Sequence, residues 1–99
     1  MSYEEREHAG RYYGVQFMYA VPESAWFVEL SDVKSGTMIM TGVVPDEDLA
    51  TEPTVRVHSP VEHSVPFEVM MWFMEKAAEE IARSRPAWSS YKVVRRVAR

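Results

Sequence analysis

The chain has 99 residues, of which 46% are hydrophobic and 26% charged, and its net charge is −4. This size and composition predict one globular domain over residues 1–99, with one core and no room for a second. The absence of cysteine excludes disulfide bonds, thiolate zinc sites and a thiol nucleophile. No apolar run reaches the ~20 residues of a membrane span and the N-terminus is polar, so we expect no membrane contact and a cytoplasmic location.

Charge is distributed unevenly along the chain. Of the eleven basic residues, six lie from Arg83 onward, where no acidic residue occurs, and the other five share residues 1–82 with all fifteen acidic residues. Such a basic segment either binds an acidic partner or neutralises the acidic body on which it packs. The second interpretation is favoured.

The first part of the chain predicts an antiparallel meander. Residues 1–10 carry little that can be buried and are expected to be a frayed N-terminus. Alternating apolar residues, separated by short turns rich in Pro, Asp, Ser and Gly, then predict four strands. Their ranges are 11–20, 25–30, 37–44 and 54–58. Gly42, inside the third strand, is interpreted as the mark of a bulge.

The segment from Pro66 to Arg83 has the spacing of an amphipathic helix. Pro66 suits the first helical turn, and Pro86 prevents the helix from continuing. One face is predicted to pack on the sheet: Phe67, Met70, Met71, Met74, Ala77, Ala78, Ile81 and Ala82. The opposite face is expected to be solvated and carries Glu68, Glu75, Lys76, Glu79, Glu80 and Arg83.

Three bulky apolar residues interrupt the polar side of this helix, namely Val69, Trp72 and Phe73. A helix that is apolar nearly all round is normally covered on two sides. Two interpretations are possible. In the favoured one, the N-terminal or C-terminal segment of the chain itself covers Trp72; in the other, Val69, Trp72 and Phe73 form a docking surface for a partner.

After Pro86, a basic alternating segment at 91–99 predicts a last strand. The predicted fold class is therefore α+β: an antiparallel sheet of four to five strands, in the order β-β-β-β-α-β, with one long helix on one face. The sheet face away from that helix is expected to be partly apolar, and this favours dimerisation or a protein partner. The residues that create this expectation are Tyr12, Met18, Phe27, Ile39 and Val43.

Two other groups of residues suggest chemistry. His58, Glu62 and His63 are ligand types in one loop, and they support a metal-dependent or small-ligand enzyme as an alternative, although their spacing matches no zinc signature. Aromatic residues among basic ones support a nucleic-acid-binding module as another alternative, since arginine contacts phosphate and aromatic rings stack on bases. That set comprises Arg85, Trp88, Lys92, Arg95 and Arg96.

No glycine-rich phosphate loop, nucleophile elbow or calcium loop is present, and no cofactor is predicted. We expect a small non-enzymatic interaction protein, such as an adaptor, an inhibitor or an immunity-type binder. Its partner would be another protein or a second copy of the chain, and a homodimer is expected. The predicted partner contacts are Val69, Trp72, Phe73, Tyr12 and Phe27.

Overall fold

The structure is a computed structural model that describes residues 2–47, 50–58 and 64–84. Its elements are β1 (Tyr3–His8), β2 (Arg11–Ala20), β3 (Ala25–Asp32), β4 (Met38–Pro45), β5 (Thr54–Val57) and α1 (Phe67–Ser84). A short 3-10 turn, Val21–Glu23, joins β2 to β3. The strands form one antiparallel sheet in the order β1-β2-β3-β4-β5, and α1 packs on one face. The predicted α+β class, with one helix on an antiparallel meander, is confirmed.

The N-terminal segment is a strand and not a frayed end. β1 pairs with β2 along its whole length, from Tyr3 opposite Gln16 to His8 opposite Arg11. Ala9 has a φ of 52° and Gly10 a φ of 85°, as expected in a two-residue hairpin whose twist matches that of the strands. β1 carries charged residues on both of its faces. Such residues suit the edge of a sheet because they discourage pairing with a further strand.

The described residues therefore have the order β-β-β-β-β-α, and the predicted strand at 91–99 lies outside them. The prediction of a bulge at Gly42 is wrong, since Gly42 is paired regularly with Val28. The register instead shifts between Leu30 and Ser31, where Ile39 is the extra residue of β4. Ile39 joins the buried cluster between the sheet and α1.

Sheet and helix share one core. From the sheet it contains Tyr13, Val15, Phe17, Val28, Leu30 and Ile39, and from α1 it contains Val69, Trp72, Phe73 and Ala77. The helix residues recur at intervals of three and four, as one face of a helix requires. This buried face is not the predicted one, because most of the predicted face points to solvent: Phe67, Met71, Met74, Ala78 and Ala82 are exposed.

The helix is rotated in this way because α1 has two apolar stripes with the same period. Periodicity shows that a stripe exists but does not show which of two stripes faces the sheet. The stripe with Trp72 and Phe73 offers bulkier rings, and aromatic side chains bury more apolar area than methionine or alanine. Of the predicted core face, Ala77 is buried and Met70 packs partly against the core.

The turn after β3 depends on one buried carboxylate. Asp32 accepts a hydrogen bond from the Ser35 backbone N–H at 3.0 Å, and its own carbonyl oxygen accepts one from the Gly36 N–H at 2.8 Å. The Ser35 N–H lowers the pKa of Asp32 below its ordinary value, although burial acts in the opposite direction. The charged form is therefore the one that the folded turn stabilises.

Replacing Asp32 with asparagine should lower the free energy of unfolding by about 1 kcal/mol at neutral pH. Because the folded pKa is lowered, this stabilisation is complete above the unfolded value of about 3.9 and is lost as the pH falls through the folded pKa. Urea unfolding of both proteins at about pH 7 and about pH 3 measures the difference, with the exposed Glu47→Gln as a control. An equal gap at both pH values would contradict the assignment.

Candidate protein-docking surface

The outward side of α1 carries a continuous apolar row, here called the outer stripe: Phe67, Met71, Met74, Ala78 and Ile81. Successive members are four, three, four and three residues apart, which is the spacing of a helix–helix seam. Phe67 is 83% exposed, Met71 64% and Met74 47%. Ile81, at the C-terminal end of the row, is half-buried.

This row is a patch and not a scatter of single residues. Fourteen residues of helix at ~1.5 Å each separate Phe67 from Ile81, so the outer stripe is about 21 Å long. Isolated apolar side chains are normal on protein surfaces, but contiguous apolar patches mark interaction sites. Met71 and Met74 add a pliable, polarizable surface that adapts to the shape of a partner.

The inward side of α1 is fixed by packing and by contacts with β1. The Arg6 guanidinium lies 5.8 Å from the centroid of the Trp72 ring, and Lys76 Nζ donates to Glu4 Oε2 at 2.7 Å. The hydrogen bond that Lys76 donates to Glu4 raises the pKa of Lys76, which favours the charged form of its side chain. Arg6 of β1 thus lies over the Trp72 ring, and Trp72 itself belongs to the core between α1 and the sheet.

Val69, Trp72 and Phe73 were predicted as partner contacts, and the structure corrects this. All three are buried between α1 and the sheet, and of the three only Trp72 borders the surface, at a cleft that it shares with Arg6. The apolar surplus of the helix exists, but it lies on the opposite side. Sequence reasoning named every residue of the outer stripe and assigned all of them to the core.

The other two predicted contacts, Tyr12 and Phe27, lie on the sheet face away from α1. Tyr12 is exposed, whereas Phe27 is half-buried, with the Arg56 guanidinium 5.6 Å from its ring centroid. Phe27 pairs with Met18, six residues along β2 from Tyr12, a distance of about 20 Å. They do not form one patch.

The remaining residues expected on that sheet face expose less apolar surface than the sequence indicated. Ile39 and Val43 are buried, and Met18 is half-buried. The outer stripe is therefore the more prominent apolar surface of the described residues, because its three largest side chains are all exposed and adjacent on one helix.

Acidic residues border one side of the outer stripe. Glu68, Glu75 and Glu79, here called the acidic margin, are all exposed and lie seven and four residues apart on the same side of α1. Glu68 contacts His8 Nδ1 at 3.2 Å, and Glu79 lies 3.8 Å from Lys76 Nζ.

A cleft of about 300 Å³ lies between the acidic margin and β1. Met71 and Trp72 supply its apolar wall, and Glu68, Glu75 and Arg6 supply its charged groups. Two carboxylates thus face one guanidinium, which is already placed over the Trp72 ring. The cleft combines an apolar wall with a net negative charge beside the outer stripe.

One buried acidic residue was not foreseen. Glu80, predicted to be solvated, is 1% exposed and accepts hydrogen bonds from the Arg83 guanidinium and the Ser84 hydroxyl. Arg83 also lies 5.6 Å from the Phe17 ring centroid. The available signal was the presence of two donors three and four residues after Glu80, the spacing at which helical side chains meet.

The alternative sites fall largely outside the described residues. His58 contacts the Thr41 hydroxyl through Nε2 at 2.7 Å, while Glu62 and His63 lie outside the described ranges. Within residues 2–47, 50–58 and 64–84, no three His, Asp or Glu residues are grouped so that they could hold a metal ion. The predicted nucleic-acid contacts Arg85, Trp88, Lys92, Arg95 and Arg96 also lie outside these ranges.

The fold and the surface of the described residues define a small α+β domain in which α1 covers a five-stranded antiparallel meander and presents a second apolar face outward. Compared with known proteins, the chain has no significant match to a family model, a curated protein or a solved structure. In the part of the chain that the structure describes, no helix combines the length and hydropathy needed to cross a bilayer. The function is therefore inferred from the protein's own surface.

Proposed function

We propose that this protein is a small non-enzymatic interaction module that docks a protein partner through the outer stripe of α1. The observation that carries the proposal is the exposure of Phe67, Met71 and Met74 in one row, on a helix whose other face is fixed in the core. A rigid helix that presents an apolar row is a common means of peptide and protein recognition.

Burial of the outer stripe would contribute part of the free energy of a specific contact. Covering a phenylalanine or methionine side chain is worth about 1.5–3 kcal/mol relative to leaving it exposed. Part of this is lost to the entropy of association and to ordering of the flexible methionines. The outer stripe alone therefore supports only weak binding, and contacts on its margins would have to supply the rest of a specific affinity.

The double substitution M71E/M74E should abolish partner binding and leave the fold intact, because both side chains are exposed. The matched control is V21E/V57E, which places two carboxylates at exposed apolar positions outside α1. Immobilised wild type and both variants are incubated with extract of the native host, and retained proteins are quantified by mass spectrometry. We expect a specific partner to be retained by wild type and control and lost from M71E/M74E.

Retention of the same proteins in the same amounts by all three forms would contradict the proposal. Circular dichroism and thermal unfolding of each form confirm that the comparison is between folded proteins.

A further inference from the structure

We infer that the partner presents a basic amphipathic helix to the outer stripe. This inference rests on the proposed function and specifies the class of partner that the surface fits. Three features of α1 lead to it: the spacing of the stripe, the charge of its margin, and the composition of the cleft beside it.

The spacing indicates a helix. Members of the outer stripe from Phe67 to Ile81 alternate between intervals of four and three residues. Two helices that pack side by side bury rows with this spacing, and the knobs of one fit the holes of the other. An extended strand offers a contact every second residue and does not follow such a row. The length of about 21 Å corresponds to four turns of a partner helix.

The charge indicates a basic partner. Glu68, Glu75 and Glu79 line one side of the stripe. Of the two basic residues of α1, Arg83 pairs with Glu80, and Lys76 lies 2.7 Å from Glu4 and 3.8 Å from Glu79. The opposite side of the stripe, at Met70, Ala77 and Ser84, carries no charge. A partner helix therefore gains from lysine or arginine on the side that meets the acidic margin.

The cleft beside Met71 fits the side chain of such a residue. Lysine and arginine have an apolar stem and a charged end, and both parts find a counterpart there. The stem would pack on Met71, and the cation would lie near the Glu68 and Glu75 carboxylates. Arg6 occupies the Trp72 side of the cleft and leaves the Met71 side to the partner.

A second copy of this chain fits the stripe less well. If two copies of α1 paired antiparallel about a twofold axis, each acidic margin would meet its own equivalent, and like charges at this spacing are destabilising. If they paired in parallel, each acidic margin would meet the uncharged side at Met70 and Ala77. Neither arrangement brings a basic residue of the second copy's α1 to Glu68, Glu75 or Glu79.

Two designed peptides of about 20 residues test the inference. Both carry leucine at alternating intervals of three and four; one has lysine at all flanking positions and the other has glutamate. Binding to the full chain is measured by fluorescence anisotropy at low salt. We expect the lysine peptide to bind at least about tenfold more tightly than the glutamate peptide, and the preference to shrink as salt is added.

Charge reversal separates a specific site from general attraction between an acidic protein and a basic peptide. The variant E68K/E75K/E79K should prefer the glutamate peptide, whereas the matched control E5K/E47K/E52K, which makes the same charge change away from α1, should keep the preference of the wild type. The variant M71S/M74S alters no charge and should bind both peptides at least about tenfold more weakly.

Several results would overturn the inference. One is equal binding of the lysine and glutamate peptides to the wild type. Another is a reversal of the peptide preference by the control E5K/E47K/E52K that is as complete as the reversal by E68K/E75K/E79K. If the wild type is a dimer that the substitutions M71S/M74S dissociate, the outer stripe binds a second copy of the chain. If the lysine peptide binds only to the variant R95Q/R96Q, the outer stripe is the binding site of the chain's own residues 85–99. If host proteins are lost from M71E/M74E while neither peptide binds, the docking function stands and only the class of partner is wrong.

Discussion

Replacing Phe73 with alanine should lower the free energy of unfolding by about 3–5 kcal/mol, whereas Phe67→Ala should cost less than about 0.5 kcal/mol. Both residues are phenylalanines of α1, six positions apart. Phe73 is 0% exposed and belongs to the cluster between sheet and helix, while Phe67 is 83% exposed. Removal of the Phe73 ring leaves a cavity that the rigid sheet cannot close, and removal of the Phe67 ring leaves only solvent.

Urea unfolding followed by circular dichroism measures both effects, with each variant compared to wild type. Domains of this size are stable by about 5–15 kcal/mol, so Phe73→Ala should move the midpoint far toward zero denaturant. A large loss for Phe67→Ala together with a small one for Phe73→Ala would show that α1 packs through the face that its sequence pattern predicted.

Replacing Arg83 with alanine should cost about 1–3 kcal/mol, although 65% of its side chain is exposed. Ordinary surface substitutions cost far less. The reason is Glu80, which is buried and, among the described residues, would keep the Ser84 hydroxyl as its hydrogen-bond donor. A buried carboxylate that loses a charged donor retains the cost of its desolvation.

The same reasoning predicts that Glu80→Met is nearly neutral or stabilising, because an apolar side chain of similar length needs no partner. In the Glu80→Met background, Arg83→Ala should then cost much less than in wild type. A double-mutant cycle from urea unfolding measures this coupling. Additive effects would contradict a role for Arg83 in satisfying Glu80, and Lys76→Ala, whose partner Glu4 is on β1, serves as a comparison.

Most of the sheet could be predicted from sequence because apolar residues alternate along each strand. Once one face of the sheet is buried, this alternation determines which side chains point to the core. The ranges 11–20, 25–30 and 37–44 correspond to β2, β3 and β4, and the predicted helix from Pro66 to Arg83 corresponds to α1. β1 was not predicted because it carries charged residues on both faces. A segment of this kind looks the same in sequence whether it is an edge strand or a polar terminus, and only the partner strand distinguishes the two.

The rotation of α1 could not be predicted in the same way. The helix has two apolar stripes with the same period. Which of them faces the sheet depends on how the Trp72 and Phe73 rings pack in the cluster with Val28 and Leu30, which are distant in sequence. For the same reason Glu80 was assigned to solvent. The candidate site therefore consists of residues that sequence reasoning recognised as apolar and placed on the wrong side.

The central claim is that the second apolar face of α1 is open in the isolated protein. Oxidation of the native chain by hydrogen peroxide, followed by mass spectrometry of each methionine, tests it directly, since oxidation follows exposure. Met71 and Met74 should react at nearly the rates found in the urea-unfolded chain, while Met40, which packs against the core, should react more slowly. If Met71 and Met74 are as protected as Met40 in the monomer, the outer stripe is already covered and is not free to dock a partner.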